Sequence, residues 1–357
     1  MKSKITGIVF SSILLLSSCI DGTVFAETKT NSTYEQAKQA VKAGRVDDKN
    51  KQTTVEAAPP AKSITPADAA KEAERLRREI AAKSEKPEVY LARGLVFDGM
   101  KEYSNAIANY DFAIYLNPKL WQAYYQRALD RHILGEYEAA LSDLAHVLEL
   151  KPQNMEAYYQ RGLVLISMGD YLHAIMDFEK AATSTVLKGK AEAGMGMSNY
   201  YLKQYSVASK NFEAAVALEP ANSSNYVWLG RLKTETRDYK AALEFYNKAI
   251  ALNPNDSEAY LFKGRTLAFF MKNYDEGIAA FSKAIEINPD YADSYLQRAY
   301  AYNQKGNGKL AKADFDKAVS LNPELKEQVL PAYRGDGKQI PQAKPEANKR
   351  TVVTAGQ

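Results

Sequence analysis

The chain has 357 residues, 47 basic against 43 acidic side chains for a formal net charge of +4, and 24 tyrosines beside 12 phenylalanines and two tryptophans. That near balance excludes the one-sided basic field that nucleic-acid binding needs, and the lone cysteine, Cys19, excludes an intrachain disulfide, so any fold rests on its apolar core. The length is compatible with two ordinary domains or with a single repeat array, which makes internal repetition the first thing to test.

At the start, Lys2 and Lys4 precede an apolar run from Ile5 to Ile20, the layout of an export signal assigned here to residues 1–26. The run has 16 residues and is diluted by Thr6, Gly7 and four serines. It falls short of the about 18 apolar residues that a membrane-spanning helix wants. Leu16-Ser17-Ser18-Cys19 resembles the bacterial lipobox, in which the cysteine thiol is acylated and, after cleavage, becomes the first residue of the mature chain. With Ile20 rather than an acid after the cysteine, that resemblance implies an outer-membrane lipoprotein facing the periplasm, touching the membrane only through its lipid anchor. Val24-Phe25-Ala26 offers ordinary signal cleavage as the alternative, and with it a soluble periplasmic or secreted protein.

Residues 27–64 are rich in Lys, Thr, Gln and Ala, include Pro59 and Pro60, and lack sustained apolar periodicity, as a flexible tether does. Thr65-Pro66-Ala67-Asp68 then reads as a helix start, with an N-cap threonine, proline in the first turn and an acid near the positive helix end. The thin apolar face of Ala69, Ala73, Leu76 and Ile80 predicts, over 65–86, a helix that caps whatever follows.

From Pro87 to Leu325 the sequence repeats with a 34-residue period, in copies starting at Pro87, Trp121, Met155, Gly189, Ser223, Ser257 and Ala292; the sixth has one extra residue. Position 8 of each copy is Gly or Ala (Gly94, Ala128, Gly162, Gly196, Gly230, Gly264, Ala299) and position 20 is equally small. Position 24 is bulky (Tyr110, Leu144, Phe178, Phe212, Tyr246, Phe281, Phe315), the filling for the space the small residues leave. Tyrosine recurs at positions 4 and 17, and proline at position 32 stops the second helix of six copies.

This small, aromatic and proline signature resembles the tetratricopeptide repeat (TPR). The resemblance implies an all-α fold, a right-handed superhelical solenoid of seven helix-turn-helix repeats whose stability comes from neighbour stacking. It also implies a concave groove for partner segments, lined by positions 2, 5, 9, 12 and 13 of each first helix. Candidate groove residues are Leu91, Leu95, Tyr125, Leu129, Tyr159, Leu163, Met197, Tyr200 and Tyr201, followed by the cations Arg231 and Arg265. The competing reading is that these side chains pack against adjacent first helices. Lys at position 5 and Asn at position 9, which the chaperone-binding clamp of the family needs, occur in no copy.

Departures from the pattern carry expectations of their own. Repeat 4 has Glu192 where an aromatic belongs, and Thr183-Ser184-Thr185-Val186 before it lacks the proline, which predicts either a bend or loose joint there or ordinary drift. The extra residue of repeat 6 is expected in the turn between its helices, and Gly308 for tyrosine predicts fraying of repeat 7. A capping turn is expected over 326–333 and a disordered tail over 334–357.

Arginine at position 7 and aspartate at position 23 occur together as Arg127/Asp143, Arg161/Asp177 and Arg298/Asp314, with Arg93 facing Asn109 as the exception. A planar guanidinium bridging two helices needs such a partner, so these are expected to be structural pairs. No metal, cofactor or nucleophile motif is present, and His132, His146 and His173 are expected to be solvated. The function expected is a non-enzymatic scaffold or assembly factor that binds envelope proteins or peptides; an enzyme subunit is the remote alternative.

Overall fold

A computed structural model describes residues 86–326. The signal with Cys19, the tether, the capping helix, most of the expected C-terminal cap and the tail lie outside the described residues. These residues fall into two compact units, divided after Pro254.

The first unit holds five helix pairs: α1 (Pro87–Gly99) with α2 (Tyr103–Leu116), α3 (Trp121–Ile133) with α4 (Tyr137–Leu150), α5 (Met155–Met168) with α6 (Tyr171–Ala181), α7 (Lys188–Tyr201) with α8 (Tyr205–Leu218), and α9 (Ser223–Glu235) with α10 (Tyr239–Leu252). The second holds α11 (Ser257–Arg265) with α12 (Tyr274–Ile287) and α13 (Ala292–Gln304) with α14 (Gly308–Leu321). The fold is all-α, a run of seven consecutive helix-turn-helix repeats.

Local chemistry sets the helix ends. Asn154, Asp170, Asn222 and Asp238 accept from backbone N–H groups in the first turns of α5, α6, α9 and α10. At the other end, Asn117 and Asn253 take up extended backbone and Lys151 and Glu219 also leave the helical region, each ahead of the proline that follows it. Between the helices of every pair the chain needs one left-handed residue. Glycine supplies it at Gly135, Gly169 and Gly306, but Lys101, Lys203, Arg237 and Lys272 hold φ of 58–65° there, a conformation that disfavours a Cβ.

The small and bulky positions meet as expected. A Cβ on Gly162 would lie 2.7 Å from the Phe178 ring, one on Gly196 2.8 Å from Phe212, and in the second unit one on Gly264 2.7 Å from Phe281. Phe178 is also gripped from the next repeat, because a Cβ on Gly194 would again come within 2.7 Å of its ring. The arginine pairs form too. Arg161 donates from Nε and Nη2 to the two oxygens of Asp177, both at 2.7 Å. Arg127 grips Asp143 in the same way and also reaches Asp111 of the preceding repeat, while Arg298 holds Asp314 and donates to Ser282 Oγ. Arg93 has no such mate; its Nε is buried without a hydrogen-bond partner, and Asn109 turns to the carbonyl of Asn105.

Three expectations are corrected. The junction before repeat 4 is not loose: Ala181, Leu187 and Ala191 join Phe178, Phe212 and Trp228 in one continuous core. There Glu192 accepts from Asn211, whose own side-chain oxygen accepts from Asn199, a polar trio where other repeats place the arginine pair. The extra residue of repeat 6 is absorbed by a π-helical turn, Thr266–Phe270, in which Met271 N–H donates to the Thr266 carbonyl, so it lies in the helix. Repeat 7 does not fray within the described residues, since α14 starts at Gly308 and Leu325 is buried beside Phe315.

Candidate partner-binding surface

The expected groove divides in two. Leu91, Leu95, Tyr125, Tyr159, Leu163 and Met197 are core: Tyr125 is 7% exposed, Tyr159 3% and Leu163 4%. They are therefore not a partner-binding surface as the chain stands. The reason is the stacking of first helices, which turns positions 5 and 9 onto the neighbouring repeat. Tyr159 packs its ring 5.7 Å from that of Phe178 in its own repeat, and Tyr125 shares a core cluster with Ala157 and Val164 of the next repeat. Burial, with the Glu156 carboxylate adding to it, holds the Tyr125 phenol well above the ordinary range. Leu129, Tyr200, Tyr201 and Arg231 remain partly exposed. In the second unit Arg265 is also partly exposed, with its guanidinium over the Phe262 ring.

The exposed remnant in the first unit is built from repeats 3, 4 and 5. Tyr171, first residue of α6, stacks on Tyr201, last residue of α7, with centroids 5.0 Å apart and planes 11° from parallel. Tyr200 stands edge-on to Tyr201 and to Trp228. Trp228 itself lies flat against Phe212 in the core. Arg231, one turn further along α9, rests its guanidinium carbon 3.8 Å from the Trp228 centroid and 5.3 Å from that of Tyr200, a cation–π contact on both rings. Tyr205 closes the group beside Tyr200, whose hydroxyl donates to Glu235. Burial pushes the Tyr200 phenol up and Glu235 adds to it, while Arg231 opposes them.

Tyr171 and Tyr205 were legible only as repeat tyrosines of position 17. Nothing in a 34-residue period says that position 17 of one repeat stacks on position 13 of the next. Chemically the cluster offers ring faces, ring edges and one cation held in place, which suits recognition of an extended or helical segment.

The histidines differ from one another. His173 and His146 sit beside Asp170 and Glu149 at the surface, as expected of solvated residues. His132 does not: its Nε2 lies 2.9 Å from Ser167 Oγ in the next repeat. That serine is buried and donates its own proton to the Leu163 carbonyl, so it accepts from the imidazole and cannot also be activated by it. The contact ties repeat 2 to repeat 3. Among the described residues no group of three or more His, Cys, Asp or Glu side chains is placed to hold a metal, and no helix is long and apolar enough to cross a membrane.

Family comparison agrees with this architecture. The model described as tetratricopeptide repeat matches residues 87–120, 122–154, 156–184 and 292–325, and one described as TPR repeat matches 271–306. The model of anaphase-promoting complex, cyclosome, subunit 3 matches 202–284. Comparison with curated proteins finds no match. Among solved structures, a tetratricopeptide repeat protein from Parabacteroides merdae superposes with a TM-score of 0.57 at 20% identity, over 70% of this chain and 93% of that one. Yeast Tom70 gives 0.61 at 18% identity, over 74% of this chain and 58% of that one. A chain of the APC/C hetero-tetramer Cut9–Hcn1 gives 0.56 at 17% identity, over 83% and 57%. At these identities the likeness is one of fold. Proteins built this way mediate protein–protein interactions, and the fold is typically a non-enzymatic scaffold. From the repeated small–bulky packing and the matching repeat models, the chain is a member of the tetratricopeptide-repeat family.

Proposed function

We propose that this protein is a non-enzymatic scaffold or assembly factor of the bacterial cell envelope, held to the outer membrane through acylated Cys19, that captures a segment of an envelope protein on the tyrosine surface of repeats 3 to 5. The observation behind it is the stacked Tyr171–Tyr201 pair beside Arg231, which stays partly exposed while most of the neighbouring first-helix side chains are committed to the core. Rigid aromatic side chains and arginine supply most of the energy of such interfaces. The anchor rests on the lipobox-like Leu16-Ser17-Ser18-Cys19; cleavage after Ala26 instead makes the same scaffold a soluble periplasmic or secreted adaptor.

The test is capture from detergent-solubilised envelopes by wild type and by a Tyr171→Ala/Tyr201→Ala double variant. Losing an aromatic anchor costs about 2 kcal/mol or more, which is roughly a thirtyfold loss of affinity. Partner recovery should fall accordingly, with helical content kept. A folded variant that recovers the same proteins in the same amounts removes the tyrosine surface from the function.

A further inference from the structure

Repeat 1 departs from its siblings at three positions of α2. Position 23, the aspartate that holds the position 7 arginine in repeats 2, 3 and 7, is Asn109. Position 26, a basic residue in His146, Lys180, Lys248, Lys283 and Lys317, is Phe112. Position 29, small or polar in every other copy, is Tyr115. The two new rings do not serve the core, since Phe112 is 57% exposed and Tyr115 81%. Phe112 stacks on Tyr90 of α1 with centroids 5.5 Å apart, in the place where Tyr226 of repeat 5 meets the ammonium of Lys248.

The change at position 23 strands Arg93, which lies one turn along α1 from Tyr90. Arg93 is partly exposed, and its guanidinium carbon is 5.4 Å from the Phe97 centroid. Its Nε is buried without an acceptor, and no carboxylate among the described residues pairs with it. Asn109 cannot stand in. Its amide nitrogen donates to the Asn105 carbonyl, and a neutral amide has one oxygen where the guanidinium fork needs two. Repeat 2 shows what satisfies such an arginine: Arg127 donates from Nε and Nη2 to Asp143, and from Nη1 to Asp111, which a helix of the neighbouring repeat brings to it. A guanidinium at position 7 therefore binds a carboxylate delivered from outside its own repeat.

We propose that this face of repeat 1 is a second docking surface, separate from the tyrosine surface of repeats 3 to 5, for a partner segment that carries an aspartate or glutamate beside a large apolar side chain. The carboxylate takes Arg93 as Asp111 takes Arg127, and the apolar side chain lies on Phe112 and Tyr115. Each departure of repeat 1 serves that arrangement. Asn109 leaves the guanidinium without an internal acid, so its charge is complementary to an incoming one. Phe112 and Tyr115 replace groups that would have to shed water on docking, and the ion pair strengthens as the rings exclude solvent from it.

The experiment is subtractive selection on the full chain. Random peptides of about three helical turns, displayed on phage, are depleted on an Asn109→Asp/Phe112→Lys variant, which gives repeat 1 the residues of its siblings, and then selected on wild type. Survivors should pair an acid with a neighbouring Phe, Leu or Trp, and should bind Arg93→Gln about thirtyfold more weakly or worse. Exchanging the acid of a survivor for its amide should cost as much on wild type, a readout that needs no variant of the protein to fold. Asn109→Asp alone should also abolish binding, by filling Arg93 from within, and should raise the melting temperature. An absence of survivors overturns the proposal, as do survivors without an acid or survivors that bind Arg93→Gln and wild type equally. Displacement of the peptide by millimolar inorganic phosphate makes Arg93 a general anion site and overturns it too. A wild type that sediments as a dimer while Asn109→Asp sediments as a monomer gives the face to a second copy of this chain instead.

Discussion

Asp177→Ala is the sharpest probe of the arginine ladder. Asp177 is 5% exposed and accepts two charge-assisted hydrogen bonds from Arg161, whose side chain keeps 29% of its surface in water. Exposed ion pairs contribute about 0–1 kcal/mol, and breaking a fully buried one costs about 3–5 kcal/mol. With the carboxylate buried and the guanidinium edge wet, the loss should be about 1–2 kcal/mol. The protein itself supplies the control, since repeat 5 fills the same two positions with Leu229, 2% exposed, and Phe245. Arg161→Leu with Asp177→Phe copies that arrangement and should return to within about 1 kcal/mol of wild type, because no charge is left unpaired. Urea unfolding followed by circular dichroism, with both single variants completing the cycle, measures the coupling. Asp143→Ala should cost more than Asp177→Ala, since Asp143 serves both Arg127 and Arg131. A cycle with no coupling, or an Asp177→Ala variant as stable as wild type, would refute the pair as a structural element.

Tyr125→Ala with Tyr159→Ala should now unfold the first unit at moderate temperature, each truncation of a buried ring costing about 3–5 kcal/mol; retained helicity and melting temperature would return these rings to the surface. Lys203→Gly and Arg237→Gly should each raise stability by about 0.5–1 kcal/mol, the relief of a left-handed side chain, about 1–2 kcal/mol, exceeding the added freedom of the unfolded glycine. Gly169→Ala, at the same turn with φ of 78°, should lower it; thermal melts of the three variants decide. Cys19→Ala should move the protein out of the membrane fraction, whereas a wild type already soluble with Glu27 at its N-terminus places it with the periplasmic or secreted adaptors.

The repeat period, the helix phases, the small–bulky contacts and the arginine pairs were all readable in the residues. Each of them joins positions inside one repeat at a spacing that recurs, as with Gly162 and Phe178 or Arg161 and Asp177, so covalent distance and helix geometry leave little freedom. The left-handed residue in each turn was half legible, visible at Gly135 and Gly169 but hidden at Lys101 and Lys203, whose side chains give no sign of their backbone. Contacts between repeats were not readable. Whether Tyr125 faces solvent or the next repeat, and whether Tyr171 finds Tyr201, depend on how far and at what angle one helix pair sits on the next. A period specifies what each repeat contains, while that spacing and angle are set by the packing of all the side chains at once, so burial, and with it the line between core and binding surface, was decided only by the tertiary structure.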